Sequence, residues 1–261
     1  MELVVAATAP FGADVLERLA ARHELAALLT RPDRPAGRGR KVAAPPAKVV
    51  AEVLGIPVLQ PERLGPEVEL PGDTVVVAAY GLLIPESLLE RGLWLNVHPS
   101  LLPRWRGAAP VERALMAGDA ETGVTIHETV KELDAGPVAA MEAFPVPPEW
   151  DAGDVYRRAA ELAVELLDRV LPEPGFVPQE GEPTYAAKIE PADRELDLSR
   201  PQESFNRIRA LSPHIGARGE LHGRRVTIWR ARLEDGELVP LEVQPEGGRR
   251  MPYEAWLRGL R

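Results

Sequence analysis

The 261-residue chain contains no cysteine, and only four of its 31 basic residues are lysine. The first absence excludes disulfide scaffolds, cysteine-ligated zinc, iron–sulfur clusters and thiol nucleophiles, and it fits a reducing cytosol. The second leaves basic charge almost wholly to arginine, a bias that thermophily and genomic composition explain equally well. No apolar run approaches the roughly 20 residues that span a bilayer, so no membrane association is expected. The opening MELVVAATAPFG has no basic n-region and only a short apolar run, so no signal peptide is expected. Several cofactor and nucleophile motifs are also missing. Residues Ala6-Ala7-Thr8-Ala9-Pro10-Phe11-Gly12 follow the first apolar run in place of GxGxxG, and there is neither a Walker A loop nor a GxSxG elbow. The five histidines, His23, His98, His127, His214 and His222, show no metal-ligand spacing, so no metal is expected.

What is present reads as an α/β protein. Length and a 45% hydrophobic content suffice for one large domain plus a small appendage. Apolar runs at Leu3–Ala7, Leu25–Thr30, Pro57–Leu59, Thr74–Ala79 and Leu93–His98 alternate with helical spacing over Ala13–Arg22 and Ala47–Leu54. That alternation predicts a Rossmann-like parallel sheet, in which sites gather beyond the carboxyl ends of strands. Gly123–Thr129 and Val138–Phe144 read as a later strand pair, and Asp151–Val170 as a long amphipathic helix. Residues 172–183, PEPGFVPQEGEP, have linker composition. The expected division is a catalytic domain at 1–183, a link at 184–200 and a small β-rich, reduced barrel-like domain at 201–261. That last domain carries a helix at Pro201–Leu211 and short β-like pieces at Gly219–Leu221, Arg225–Ala231 and Glu237–Leu241.

Three segments carry chemistry. In Asn96-Val97-His98 the two polar residues stand at i and i+2 of a strand end, so they point to one side and both can donate to one point. Asp134, in the turn Asp134-Ala135-Gly136-Pro137, suits a tight turn by its own backbone bonding. As a carboxylate beside an imidazole it would also fix the tautomer and support the protonated form. His127 alternates with apolar neighbours and reads as structural or as a pocket wall. The run Arg31–Lys41, RPDRPAGRGRK, is either a solvated loop or a phosphate-backbone contact, stiffened by proline and freed by Gly37 and Gly39.

The run NVHPSLLPRWRGAAPVERALMAGDAETGVTIHETVKELDAGPV resembles the signature region of formyltransferases that use 10-formyltetrahydrofolate. TRPDRPAGRGRK, PPAKVVAEVLGIPVLQP and VVVAAYGLLIP narrow the resemblance to the methionyl-tRNA formyltransferases, over about residues 1–211. The resemblance implies a catalytic trio at Asn96, His98 and Asp134 and a folate-contacting turn at Ser100, Leu101, Leu102 and Pro103. It also implies tRNA contacts at Arg34, Arg38, Arg40 and Lys41, with Arg38 matching the family's acceptor-stem arginine. The implied reaction is formyl transfer to the α-amino group of initiator methionyl-tRNA in a cytoplasmic, monomeric enzyme that releases tetrahydrofolate. The same trio would equally serve formyl transfer to a purine precursor or an amino sugar, and a non-catalytic folate- or RNA-binding descendant is the third reading. The C-terminal stretch is shorter than the family's usual β-barrel, with material missing after Trp229–Leu233.

The formal net charge of -9 argues against a nucleic-acid partner until its distribution is read. Residues 31–48 carry a net +5 and residues 200–261 a net +4, leaving -18 for the rest. An acidic body with two basic patches makes a tRNA partner plausible.

Overall fold

A computed structural model describes residues 2–36 and 41–260. The chain divides into two compact units, one made of Met1–Arg106, Gly123–Glu142 and Arg157–Pro183, the other of Gly107–Thr122, Ala143–Tyr156 and Thr184–Arg261.

Every residue of Leu3–Ala7 and Thr74–Ala78 is buried, which is why both read as unbroken apolar runs rather than alternating ones. They lie in a seven-stranded sheet ordered Val138–Pro145, Glu121–Glu128, Leu93–His98, Thr74–Ala78, Leu3–Ala7, Leu25–Leu29, Val58–Leu59. The five strands from Val58–Leu59 to Leu93–His98 pair in parallel. Glu121–Glu128 runs antiparallel to Leu93–His98, so the parallel character stops there. That pairing sets His127 opposite Asn96 and Thr125 opposite His98. Val4, Ala6, Leu29, Val75, Val77, Tyr80, Leu88 and Trp94 form a core cluster beside the sheet.

The first strand-to-helix turn shows what replaces a glycine-rich loop. Pro10 opens the Pro10–Ala20 helix, where its missing N–H is no loss. Gly12 then brings the helix onto the sheet: a Cβ there would lie 2.2 Å from the Ala78 carbonyl oxygen.

Two segments depart from the sequence reading. The basic run is not an irregular loop throughout, since Arg34–Ala36 and Lys41–Ala43 pair as the antiparallel arms of a hairpin. Arg38 and Arg40 lie outside the described residues. Within 172–183, Val177 bridges Val138 in both directions, N to O at 2.7 and 2.9 Å, so this segment is bonded to the first unit rather than merely leading out of it.

The second unit contains the helices Pro110–Ala117 and Pro201–Leu211 and a four-stranded antiparallel sheet, Ala217–Leu221, Arg224–Glu234, Glu237–Pro245 and Met251–Pro252. Its core holds Ile208, Leu211, Ala217, Val226, Ile228, Val243 and Trp256. This is the small β-rich C-terminal domain expected from the sequence, and its four strands run in one linear order, Ala217–Leu221 and Met251–Pro252 at the two edges. Its hairpins turn at His222-Gly223 (φ 52° and 70°) and Asp235-Gly236 (φ 52° and 83°), the doubly positive pattern that matches strand twist. Trp229–Leu233 runs inside the long Arg224–Glu234 strand, through two register shifts. A tight hairpin at Asp235-Gly236 follows directly and leads into Glu237–Pro245.

Candidate active site

Asn96 and His98 lie on one face of Leu93–His98, the last parallel strand, near its carboxyl end. His98 is buried, and its Nε2 lies 2.8 Å from the Trp105 carbonyl oxygen. A carbonyl only accepts, so Nε2 carries the hydrogen and donates it. Trp105 sits at φ 64°, a left-handed conformation uncommon for a bulky residue. Burial pushes the imidazole below its ordinary pKa, against the opposing pulls of the Asp134 carboxylate and the Trp105 carbonyl, while His127 adds to the depression. The neutral ring therefore turns its Nδ1 lone pair to Asp134, whose Oδ2 is 3.6 Å away.

Asp134 arrives from the connection between Glu121–Glu128 and Val138–Pro145, itself at φ 49°. Asn96 Nδ2 donates to Asp134 Oδ1 at 3.2 Å and lies 3.0 Å from His127 Nε2. His127 Nδ1 is 2.8 Å from the Glu128 carbonyl, which makes Nδ1 the donor and Nε2 the acceptor of the Asn96 amide. Both hydrogens of the Asn96 amide are thus engaged, and the two acceptors fix which way the amide points. The fold gathers Asn96, His98 and Asp134, and adds His127.

In the following turn, Ser100 is fully buried and its hydroxyl donates to the Arg104 carbonyl at 2.7 Å. Thr125 Oγ1 donates to the Ser100 carbonyl at 2.7 Å and accepts from the Leu102 N–H at 3.1 Å. Leu102 is buried and precedes a cis peptide bond to Pro103, whereas Leu101 and Pro103 are half-buried. At the base of the basic hairpin, Lys48 Nζ and Gln60 Nε2 hold Asp33 at 2.9 and 2.8 Å, and those bonds, Gln60 first, keep its carboxyl below the usual range. Lys48 is therefore paired, while Arg34 is exposed; Lys41 belongs to the second arm.

A buried acceptor nitrogen, a carboxylate beside it and an amide donor aimed at the same point are the parts needed to take a proton from a nucleophile and steady an oxyanion. Among the described residues no group of three or more His, Asp or Glu side chains could hold a metal ion. No helix among them is long and apolar enough to cross a membrane. Sequence reasoning missed the Trp105 carbonyl and the bond from Asn96 to His127. The first depends on backbone geometry that no residue type announces. The second depends on strand register, for which the alternation of His127 with apolar neighbours was the single signal.

Residues 1–171 match the family described as formyl transferase. A methionyl-tRNA formyltransferase of Paracoccus denitrificans is 42% identical over 293 residues, which takes in 100% of this chain and 98% of the relative. Among solved structures, a methionyl-tRNA formyltransferase from Clostridium thermocellum superposes with a TM-score of 0.68 at 16% identity, over 94% of this chain and 98% of that one. A variant of HypX from Aquifex aeolicus gives 0.69 at 18% identity, over 100% of this chain and 47% of HypX, so the chain spans about half of that protein. At such identities the two structural likenesses establish the fold.

Proposed function

The chain belongs to the formyl transferase family, and from that premise we propose that it transfers the formyl group of 10-formyltetrahydrofolate to the α-amino group of methionyl-tRNA. The observation that carries the reading is the placement of one carboxylate, Asp134, against both Asn96 at 3.2 Å and His98 at 3.6 Å. The amine nitrogen attacks the formyl carbon, and the tetrahedral intermediate collapses as the bond from carbon to the folate nitrogen breaks. The amine gives up a proton and the folate nitrogen gains one, which releases tetrahydrofolate.

The neutral His98 offers Nδ1 to that departing proton, and Asp134 then stabilises the imidazolium; general base assistance of this kind contributes about 10²–10⁴ in rate. The N–H that Asn96 shares with Asp134 is the longer of its two bonds and turns to the oxyanion, a donor worth about 3–4 kcal/mol in comparable sites. In this reading Ser100, Leu101, Leu102 and Pro103 form the folate wall. The buried Ser100 and Leu102 brace it, and Leu101 and Pro103 line it. Arg34, Arg38, Arg40 and Lys41 meet the tRNA acceptor end, and the basic 201–261 segment adds further contact. Residues 1–183 carry the chemistry, 184–200 the link, and the protein works as a cytoplasmic monomer on initiator methionyl-tRNA.

The test is a turnover assay with 10-formyltetrahydrofolate. Formylation of methionyl-tRNA is expected, with most of the rate lost in Asn96→Ala, His98→Ala and Asp134→Asn while each stays folded. Near-normal rates in all three overturn the trio. Transfer to a purine precursor or an amino sugar in preference to methionyl-tRNA overturns the acceptor, and folate binding without any turnover overturns catalysis.

A further inference from the structure

Gln179 lies in the segment whose composition reads as a linker, yet its side chain is fully engaged. Its Nε2 donates to the Asp134 carbonyl at 2.8 Å and to the Gly136 carbonyl at 2.9 Å. Its Oε1 accepts from Arg106 Nε at 3.1 Å and Nη2 at 2.6 Å. A guanidinium only donates, so the arginine fork forces the oxygen of the amide toward itself and both amide hydrogens toward the two carbonyls. The amide cannot flip without facing donor to donor and acceptor to acceptor.

The loop so held is the one that needs holding. Asp134 is a non-glycine residue at φ 49°, a conformation that persists where the surroundings over-determine it. Gly136 is pressed against the strand behind it, since a Cβ there would lie 1.8 Å from the Glu128 carbonyl oxygen. The Glu128 N–H donates to the Pro137 carbonyl at 2.9 Å and closes the loop base. The double bridge between Val138 and Val177 anchors the strap two residues before Gln179. On the other side, Arg106 directly follows Trp105, whose carbonyl takes the His98 N–H. The pair thus ties the loop that orients His98 to the loop that carries Asp134.

We infer that Gln179 and Arg106 are positioning residues that set the Asp134 carboxylate against His98 and Asn96, an inference that rests on the trio reading above. Neither touches the reacting atoms. Their effect is on the 3.6 Å gap between Asp134 Oδ2 and His98 Nδ1, so it falls on turnover rather than on substrate binding.

The experiment compares wild type, Gln179→Ala, Gln179→Glu and Asp134→Asn, alone and combined, in formylation kinetics and in an NMR titration of His98. Gln179→Glu keeps the Arg106 pairing and removes both donors to the loop, so it reads positioning even if the alanine variant folds poorly. Expected are a 10- to 100-fold loss of kcat in Gln179→Glu with both KM values within twofold, and no further loss when it is added to Asp134→Asn. His98 faces the Asp134 carboxylate, His127 and the Trp105 carbonyl. Withdrawing the carboxylate therefore moves its titration to lower pH. Wild-type kcat in Gln179→Glu, or an equal further loss on Asp134→Asn, overturns the inference. If Asp134→Asn itself stays active, the trio reading fails and the titration alone decides: an unmoved His98 overturns positioning, and a shifted one upholds it.

Discussion

Lowering the pH from 7.5 to 5.5 perturbs one group in the candidate site more directly than any substitution does. Burial keeps a proton off His98 in the folded protein, whereas the unfolded chain restores the ordinary histidine pKa near 6.5. Below about pH 6.5 the unfolded state therefore binds a proton that the folded state refuses, and folding stability falls as pH falls. One such group gives a limiting slope of about 1.4 kcal/mol per pH unit, so the loss between pH 6.5 and 5.5 is at most about 1 kcal/mol, reached where the folded imidazole stays neutral throughout. Above pH 6.5 both states are neutral at this residue and the effect vanishes. Urea unfolding at pH 7.5, 6.5 and 5.5 measures the loss. Comparison with His98→Gln, whose amide can still donate to the Trp105 carbonyl, isolates His98 from the other four histidines. Asp134→Asn removes the charge that pulls the imidazole pKa upward, so in that variant the loss continues to lower pH. In the proposed reaction it is protonation of the folded His98 that removes the base, and because burial defers it, kcat/KM falls on the acid side of a plateau that extends below the ordinary histidine range. Stability curves for wild type and His98→Gln that run parallel from pH 7.5 to 5.5 would refute the reasoning.

Two other perturbations test different parts of the molecule. Arg209 is buried in the second unit, and its Nη1 lies 3.1, 3.0 and 3.2 Å from the carbonyls of Pro147, Pro148 and Trp150. Arg209→Met leaves those acceptors without their charged donor, at about 2–4 kcal/mol, and calorimetry should show the Tm falling by roughly 5–10 °C; a drop under about 2 °C contradicts that role. Charge reversal at Arg34 or Arg38 should weaken tRNA binding and flatten its salt dependence while leaving folate binding alone, as read in filter binding at two ionic strengths. Affinity for tRNA that ignores both salt and reversal removes the basic hairpin from the interface.

Which of these features the sequence announced depends on the range of the interaction that makes them. Leu93–His98 and Pro201–Leu211 have the bounds their local patterns predicted, because a buried strand or an amphipathic helix is encoded in consecutive residues. Asn96 and His98 share a face for the same reason: period two in one strand needs no other segment. The arms at Arg34–Ala36 and Lys41–Ala43 are three residues each, the first interrupted by Pro35, too short for any periodicity to register. The C-terminal sheet was legible as strands and turns but not in its strand order, since the placing of Ala217–Leu221 and Met251–Pro252 at the two edges is a property of the whole sheet.

The site is harder still, because its members are joined by bonds between segments distant in sequence, to side chains in some cases and to backbone carbonyls in others. Asp134 reaches Asn96 across 38 residues, His127 across 31, and Gln179 reaches the Asp134 carbonyl across 45. A turn aspartate, a strand histidine and a linker glutamine each have an ordinary local explanation, and nothing in their neighbourhoods distinguishes them from residues with no further role. Composition reported correctly that 172–183 disfavours regular structure. That same irregularity leaves its backbone free to bridge Val138 and its glutamine free to clasp two carbonyls at once. Linker composition and a structural role at the site are therefore compatible: a segment without its own ladder has hydrogen-bonding groups to offer to someone else's loop.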